Sequence, residues 1–102
     1  MDALIQEFSE YLRIEKRHSP HTVTGYCRDL RRFARAFPGI EISVLTTAQI
    51  RGFLLLLRDE GLSASSIARS LSSIKSFFRY LCEDKQLKEN PAEVLETPRR
   101  WR

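Results

Sequence analysis

The chain has 102 residues, of which 42% are hydrophobic and 29% are charged, so it suits one globular domain and wholesale disorder is excluded. Its two cysteines exclude a disulfide scaffold and, by themselves, a closed zinc site. The longest apolar run, Phe53–Leu57, is far shorter than the roughly 20 residues of a membrane span. The first residues carry acids where a signal peptide is basic, so we expect a cytoplasmic protein.

Positive charge is concentrated in two separate stretches of the chain. The net charge is +4. Residues 13–35 carry seven basic and two acidic side chains, and residues 61–82 carry three basic side chains and no acid. The stretches before, between and after them are close to neutral or acidic. If both basic stretches face the same way, they form one positive surface of the kind that binds nucleic acid.

Apolar residues recur with helical spacing almost throughout, which predicts an all-α fold. The first helix is expected over residues 2–17. Ser19 as N-cap and Pro20 at the first helical position begin a second helix, which the Pro38-Gly39 pair ends. Residues 40–45 are predicted as a short extended connection, with a strand as the less favoured alternative.

Two more helices are predicted in the second half of the chain. Thr46 or Thr47 caps a third helix that reaches about residue 60, and Gly61 is a natural stop. Ser63 or Ser65 then begins a fourth helix that reaches about residue 84. The predicted core positions of these two helices are Ile50, Phe53, Leu54, Leu57, Ile67, Leu71, Ile74, Phe77, Phe78 and Leu81.

The end of the chain is predicted to be mostly irregular. Asn90-Pro91 breaks the fourth helix, and a short turn around residues 92–96 is expected to bring Val94 and Leu95 onto the bundle. Residues 97–102 are predicted to be extended, as the start of a linker. The domain itself is therefore expected to cover residues 1–96.

The outer face of the second helix is basic. Thr24, Arg28, Arg32 and Arg35 lie opposite its apolar stripe, and Arg31 adds a fourth arginine against a single acid. Such an imbalance favours contact with phosphates over a merely solvated face. Gly25 lies beside these arginines, where it costs about 1 kcal/mol of helix stability relative to alanine. Close approach of the backbone to a ligand is one reason to tolerate that cost.

The fourth helix is unusually rich in serine, with seven serines between residues 63 and 76. The wheel places Ser65, Arg69, Ser72 and Ser76 opposite the core stripe, flanked by Ser73, Lys75 and Arg79. Serine is a mediocre helix former, but short hydroxyls suit a helix that lies deep in a DNA groove. The alternative is that the serines keep the helix thin against a neighbouring domain.

No active site emerges from the sequence. His18 and His21 have no acid or cysteine nearby to complete a metal site, so no metal and no cofactor are expected. Cys27 and Cys82 lie within apolar stripes and are expected to be inert thiols. Neither these residues nor the three tyrosines lie in a sequence pattern that would activate a nucleophile.

The combined motifs resemble the N-terminal core-binding domain of tyrosine recombinases, the phage-integrase family of Xer type. The residues that carry the resemblance are Phe8-x2-Tyr11-Leu12-x2-Glu15-Lys16-x2-Ser19-x2-Thr22-x3-Tyr26-x2-Asp29-Leu30-x2-Phe33, Gly61-Leu62-Ser63-x2-Ser66-Ile67-x-Arg69-x-Leu71-Ser72-x-Ile74-x2-Phe77-Phe78-x-Tyr80-Leu81, and Asn90-Pro91-Ala92. The resemblance implies a SAM-like orthogonal bundle of four to five helices.

The resemblance also implies a function. In the family, this domain clamps duplex DNA with its second and fourth helices, and a separate C-terminal domain carries the catalytic residues. That domain would begin after Arg102, so this chain by itself is expected not to be an enzyme. The first helix of the family also touches a neighbouring recombinase protomer in the synapse, so Leu4 and Phe8 serve packing either within or between chains. Chromosome-dimer resolution and integration of a mobile element remain equally open.

The DNA-facing candidates implied by position are Thr22, Thr24, Gly25, Arg28, Arg32, Ser65, Arg69, Ser72, Ser73 and Lys75. Among them, Arg69 is expected to read a base and Arg28 to hold a phosphate, with neither needed for folding. Contact at Ser76 is not expected, because the family often has a basic residue there. Two rival interpretations are a stand-alone helix-turn-helix regulator and a SAM-like protein-interaction module.

Overall fold

A computed structural model describes residues 1–101 of the chain, which form four α-helices and two short 3-10 turns. The helices are α1 (Asp2–Ile14), α2 (Pro20–Ala36), α3 (Thr47–Asp59) and α4 (Ala64–Asp84), and the 3-10 turns are Ile42–Val44 and Arg99–Trp101. No strand occurs among these residues, so the predicted all-α class is confirmed. No helix within residues 1–101 combines the length and apolarity required to cross a membrane.

Side-chain caps fix where three of the helices begin. The Ser19 hydroxyl accepts a hydrogen bond from the Thr22 amide, with Pro20 following at the first helical position as predicted. Of the two threonines proposed for α3, Thr46 is the cap, and Gln49 completes a reciprocal capping box with it. Ser63 caps α4 as Ser19 caps α2, because its hydroxyl accepts a hydrogen bond from the Ser66 amide.

The first helix is shorter than predicted. Its regular part ends at Ile14, and Arg17 adopts a φ of 53° so that the His18 amide can bond back to the Leu12 carbonyl. A comparable closure ends α3 at Gly61, whose φ of 90° is the left-handed conformation that favours glycine. The sequence predicted only the stop at Gly61, because glycine is typical of a left-handed position after a helix and the arginine at position 17 is not.

The core lies where α2 packs against α1 and α4, with α3 closing the other side of α4. Phe33 of α2 is fully buried, and its ring centroid lies 5.2 Å from that of Phe53 on α3 and 6.3 Å from that of Phe78 on α4. Phe8 of α1 meets Phe77 of α4 at 5.5 Å. All ten core positions predicted for α3 and α4 are buried.

Phe8 is 1% exposed, so it serves packing within the chain and not between chains.

The connection and the end of the chain differ from the predictions. Residues 40–45 contain the 3-10 turn Ile42–Val44 instead of an extended segment or a strand. Leu95 is buried as predicted, but Val94 is 78% exposed, because the turn at residues 91–94 directs Ala92 and Leu95 inward instead. The predicted extended tail forms the 3-10 turn Arg99–Trp101, which packs against the core through Trp101. Arg102 lies outside the described residues.

The two cysteines are free thiols. Cys27 is buried and Cys82 is partly buried. Burial raises the pKa of the Cys82 thiol, and the neighbouring Glu93 and Glu83 carboxylates raise it further. A raised pKa keeps this thiol protonated at neutral pH, and the protonated form is the unreactive one.

Candidate nucleic-acid interface

A groove of about 360 Å³ opens between α2 and α4, and it collects most of the sequence-derived candidates. Six of the ten candidate residues line it, and we call this site the α2–α4 groove. Its lining residues are His21, Thr22, Gly25, Tyr26, Arg28 and Asp29 from α2 and Arg69, Ser72 and Ser73 from α4. The two basic stretches, which are separated by 25 residues in sequence, therefore meet at one site.

A three-way polar contact forms the floor of the groove. Asp29 is 1% exposed, and its carboxylate accepts bonds from Arg69 Nε and Nη2, each at 3.1 Å. Ser73 Oγ lies 3.0 Å from the same carboxylate and 3.1 Å from the Arg69 carbonyl oxygen, so these two acceptors share its one hydrogen. These bonds join α2 to α4, and an arginine fork on a carboxylate is among the strongest and most directional polar contacts in proteins. The single acid among the arginines of α2 is thus a buried partner of one arginine.

The charge of the Arg69 guanidinium is fixed over the physiological pH range. The hydrogen bond with Asp29 and the negative charge of that carboxylate raise the pKa of Arg69 above its already high ordinary value. Arg69 therefore carries its charge at every pH at which the domain is used. The Arg69 side chain is 51% exposed, so it lies half in the groove and half against Asp29.

The serines of α4 divide between two roles. Ser65 and Ser72 are exposed, as the wheel predicts for an outer face, and Ser76 is half-buried. Ser70 and Ser73 are buried. The placement of Ser73 on the outer face was therefore wrong, because its hydroxyl is turned inward to Asp29. Ser70 and Ser73 are therefore small side chains packed inside this domain, and the alternative of a neighbouring domain against α4 stays a prediction.

Gly25 has free space around its α-carbon. A methyl group built there would meet only Arg28 Nη2, at 3.8 Å, which is ordinary contact distance. Packing within the described chain therefore gives no reason for a glycine at this position. Its place in the groove wall leaves approach of an external ligand as the remaining physical reason that the sequence suggested.

Four of the ten candidates lie outside the groove. Thr24 and Ser65 are exposed and Arg32 is half-buried, on the helices that carry the groove walls. Lys75 lines an adjoining depression of about 410 Å³, which it shares with Ser72 and Arg99. This depression brings Lys75 of α4 near Arg99 of the terminal 3-10 turn, with Glu96 as the one acid beside them, an arrangement that the sequence alone did not reveal.

A cleft of about 290 Å³ lies next to the groove and shares Tyr26 with it. It brings Tyr11, Tyr26 and Tyr80 together with Lys16, His18 and Arg79, although the sequence showed no basic cluster near a tyrosine. Burial is the main cause that raises the pKa of Tyr80, so this phenol stays protonated and is a poor nucleophile. Ser76 also lines this cleft.

A larger depression of about 540 Å³ beside the start of α1 is a weaker candidate site. It contains Arg35, but Asp2 and Glu41 line it as well, so acidic side chains outnumber its one arginine. Within residues 1–101, no three histidine, cysteine or acidic side chains gather as they would around a metal ion. The α2–α4 groove is therefore the site at which basic side chains from two helices converge.

Together, the fold and the groove define a small all-α bundle with one basic site shared by its second and fourth helices. The family described as the phage integrase N-terminal SAM-like domain matches residues 5–85. The chain belongs to this family, which confirms the resemblance and the SAM-like fold.

Curated relatives are tyrosine recombinases. The chain is 37% identical over 103 residues to tyrosine recombinase XerD of Listeria monocytogenes, covering 97% of this chain and 35% of that protein. It is 33% identical to tyrosine recombinase XerC of Halalkalibacterium halodurans, covering 96% of this chain and 33% of that protein. The chain thus spans about a third of the length of these relatives. No solved structure matches it significantly.

Proposed function

We propose that this domain binds duplex DNA through the α2–α4 groove, as the N-terminal part of a site-specific tyrosine recombinase. The observation that carries the proposal is the convergence of two basic stretches on one groove, where the single acid is already neutralised by Arg69. Exposed Arg28 on one wall and Ser72 on the other offer donors to phosphate oxygens. The 21-residue α4 is about 30 Å long, and its small exposed serines allow it to enter a major groove about 12 Å wide.

The rest of the recombinase would complete the function. We propose that this chain forms the core-binding domain, with the turn Arg99–Trp101 packed onto it, and that catalysis belongs to a following domain. Further protomers would assemble on the same DNA in the cytoplasm. A helix-turn-helix regulator would present one recognition helix, whereas here each wall of the groove carries an arginine, Arg28 on α2 and Arg69 on α4. A protein-interaction module would not need a surface on which acids are so few.

A salt titration tests the proposal directly. Only one half of a clamp is present in this chain, so we expect weak duplex binding with about four to six phosphates neutralised. The slope of log affinity against log salt should be about −4 to −5, which weakens binding about 250- to 1,000-fold between 50 and 200 mM salt. Fluorescence anisotropy with a labelled duplex measures this slope. A slope near zero, or no binding at 50 mM salt, would favour the protein-interaction module.

Cleavage of DNA is not expected from this chain alone. Tyr80 is buried with a raised pKa, and its phenol is therefore poorly suited to attack a phosphodiester. Incubation with a nicked recombination site should give no covalent adduct on a denaturing gel, with a full-length tyrosine recombinase as positive control. A phosphotyrosyl adduct on Tyr11, Tyr26 or Tyr80 would contradict the assignment of catalysis to another domain.

Replacement of Gly25 with alanine should separate stability from binding. The added methyl group has room, so the free energy of unfolding should rise by about 0.5–1 kcal/mol. DNA affinity should fall several-fold, because the methyl group holds the α2 backbone away from the duplex. Thermal melts and anisotropy measure the two quantities.

Gly52 provides the matched control for this experiment. It lies in α3 outside the groove, and a methyl group there would meet no atom within 4 Å. Gly52→Ala should stabilise the domain to a similar extent and leave DNA affinity unchanged. Equal DNA affinity of the two variants would show that the α2 backbone does not approach the duplex closely.

A further inference from the structure

The guanidinium of Arg69 uses only one of its two edges within the chain. Nε and one hydrogen of Nη2 bond to the Asp29 carboxylate. A planar guanidinium has five donors, so this geometry leaves the edge formed by Nη1 and the second hydrogen of Nη2. No acceptor within residues 1–101 bonds to Nη1, and the half-exposed Arg69 lines the α2–α4 groove.

The free edge is a pair of parallel donors held in a fixed direction. Ordinary surface arginines lose considerable rotamer entropy when they bind, but Arg69 is already ordered by two bonds to a buried carboxylate. Ser73 holds that carboxylate in turn, through its hydroxyl at 3.0 Å from Oδ2. The donor pair therefore matches a bidentate acceptor such as O6 and N7 of guanine.

The charge of Asp29 also changes what Arg69 can bind well. A phosphate attracts an arginine mainly through net charge, and the buried carboxylate cancels most of the charge of Arg69 toward the groove. Base edges are neutral, and they are recognised through the direction of donors and not through net charge. Arg28, which makes no ion pair among residues 1–101, keeps its full charge for phosphate.

We propose that Asp29 is the residue that sets base specificity in this domain, by positioning Arg69 for guanine and weakening its attraction to phosphate. The inference rests on the proposed DNA-binding function. Asp29 is a positioning residue here, because it acts through Arg69 and does not itself meet the DNA.

The test compares selectivity with overall affinity. A randomised duplex pool selected on the wild-type chain at 50 mM salt supplies a preferred duplex, and a second duplex replaces its most strongly selected guanine by adenine. Wild type should prefer the first duplex by about 5- to 150-fold, as one bidentate arginine–guanine contact allows. Asp29→Asn should reduce that preference to within about twofold.

Asp29→Asn should also bind a scrambled duplex more tightly than wild type does. Without the Asp29 charge, the Arg69 guanidinium can make about one additional phosphate contact. That contact should steepen the slope of log affinity against log salt by about 0.9 and tighten binding about five- to tenfold at 0.1 M salt. Opposite changes in affinity and selectivity cannot arise from partial unfolding, which weakens binding to every duplex. Circular dichroism confirms that the variant is folded.

Ser73→Ala keeps the ion pair and removes only the hydroxyl that holds the carboxylate, so it tests the same idea if Asp29→Asn fails to fold. Its preference for guanine should fall by about two- to fivefold, while binding to the scrambled duplex stays unchanged. Three results would overturn the inference and leave the proposed DNA binding intact. The folded variants could keep the wild-type preference for guanine, they could lose affinity equally for all duplexes, or the wild type itself could show no preference for guanine. A wild type without salt-dependent binding would overturn the proposed function itself.

Discussion

Arg69→Ala should lower the free energy of unfolding of the domain by about 1–3 kcal/mol, because it leaves the Asp29 carboxylate buried without its arginine. Loss of one partner of a fully buried pair costs about 3–5 kcal/mol, but Arg69 is half-exposed, so water can reach part of the vacated space. Ser73 still donates one bond. The melting temperature should fall by roughly 4–8 °C for each kcal/mol lost. The domain should remain folded, as the sequence predicts, but the ion pair with Asp29 makes it less stable without Arg69.

Arg28→Ala is the matched control for this measurement. Arg28 lies on the opposite wall of the same groove, is exposed and makes no ion pair among residues 1–101, so its removal should change stability by less than about 0.5 kcal/mol. Adding Asp29→Asn to Arg69→Ala should recover part of the lost stability, since no unpaired charge then remains buried. Equal melting temperatures of Arg69→Ala and wild type would mean that the ion pair contributes nothing to the fold.

Phe33→Ala should have the largest effect on stability, a loss of about 3–5 kcal/mol. Phe33 is fully buried and is the ring at which α2, α3 and α4 meet, with centroids 5.2 Å from Phe53 and 6.3 Å from Phe78. A cavity at that point removes contacts to three helices at once. Because small domains are stable by only about 5–15 kcal/mol, urea unfolding should show a much earlier midpoint.

Phe37→Ala provides the comparison for the central ring. Phe37 lies at the end of α2, only partly buried, with its ring 5.2 Å from that of Phe33. Its removal should cost distinctly less, because water can enter the space that it leaves. If both variants unfold at the same urea concentration, Phe33 is not the centre of the core.

The helices and their starts could be predicted because the signals are local. Ser19 with Pro20, Thr46 with Gln49, and Ser63 each cap a helix within three residues of themselves, so a short stretch of sequence is sufficient. Apolar periodicity likewise identified the core of α3 and α4. The end of α1 was missed because Arg17 adopts a positive φ that its residue type does not indicate.

The composition of the groove could be predicted only in part, because its walls come from distant segments. Helical spacing placed Gly25 and Arg28 outside the apolar stripe of α2, and both line the groove, whereas Thr22 came from the family resemblance. It could not show that Asp29, at the edge of the apolar stripe, meets Arg69 forty residues later, since that contact depends on how α2 and α4 cross. Ser73 was misplaced for the same reason.

A site built from two walls that are far apart in sequence has a thermodynamic consequence. The serine-rich α4 has modest helix propensity of its own, so it owes its helical structure largely to packing against α2. A ligand that requires both walls selects the folded chain over the unfolded one, and its binding free energy adds to that of folding. Under the proposed function, the integrity of the bundle and the occupancy of the groove by DNA therefore form one coupled equilibrium.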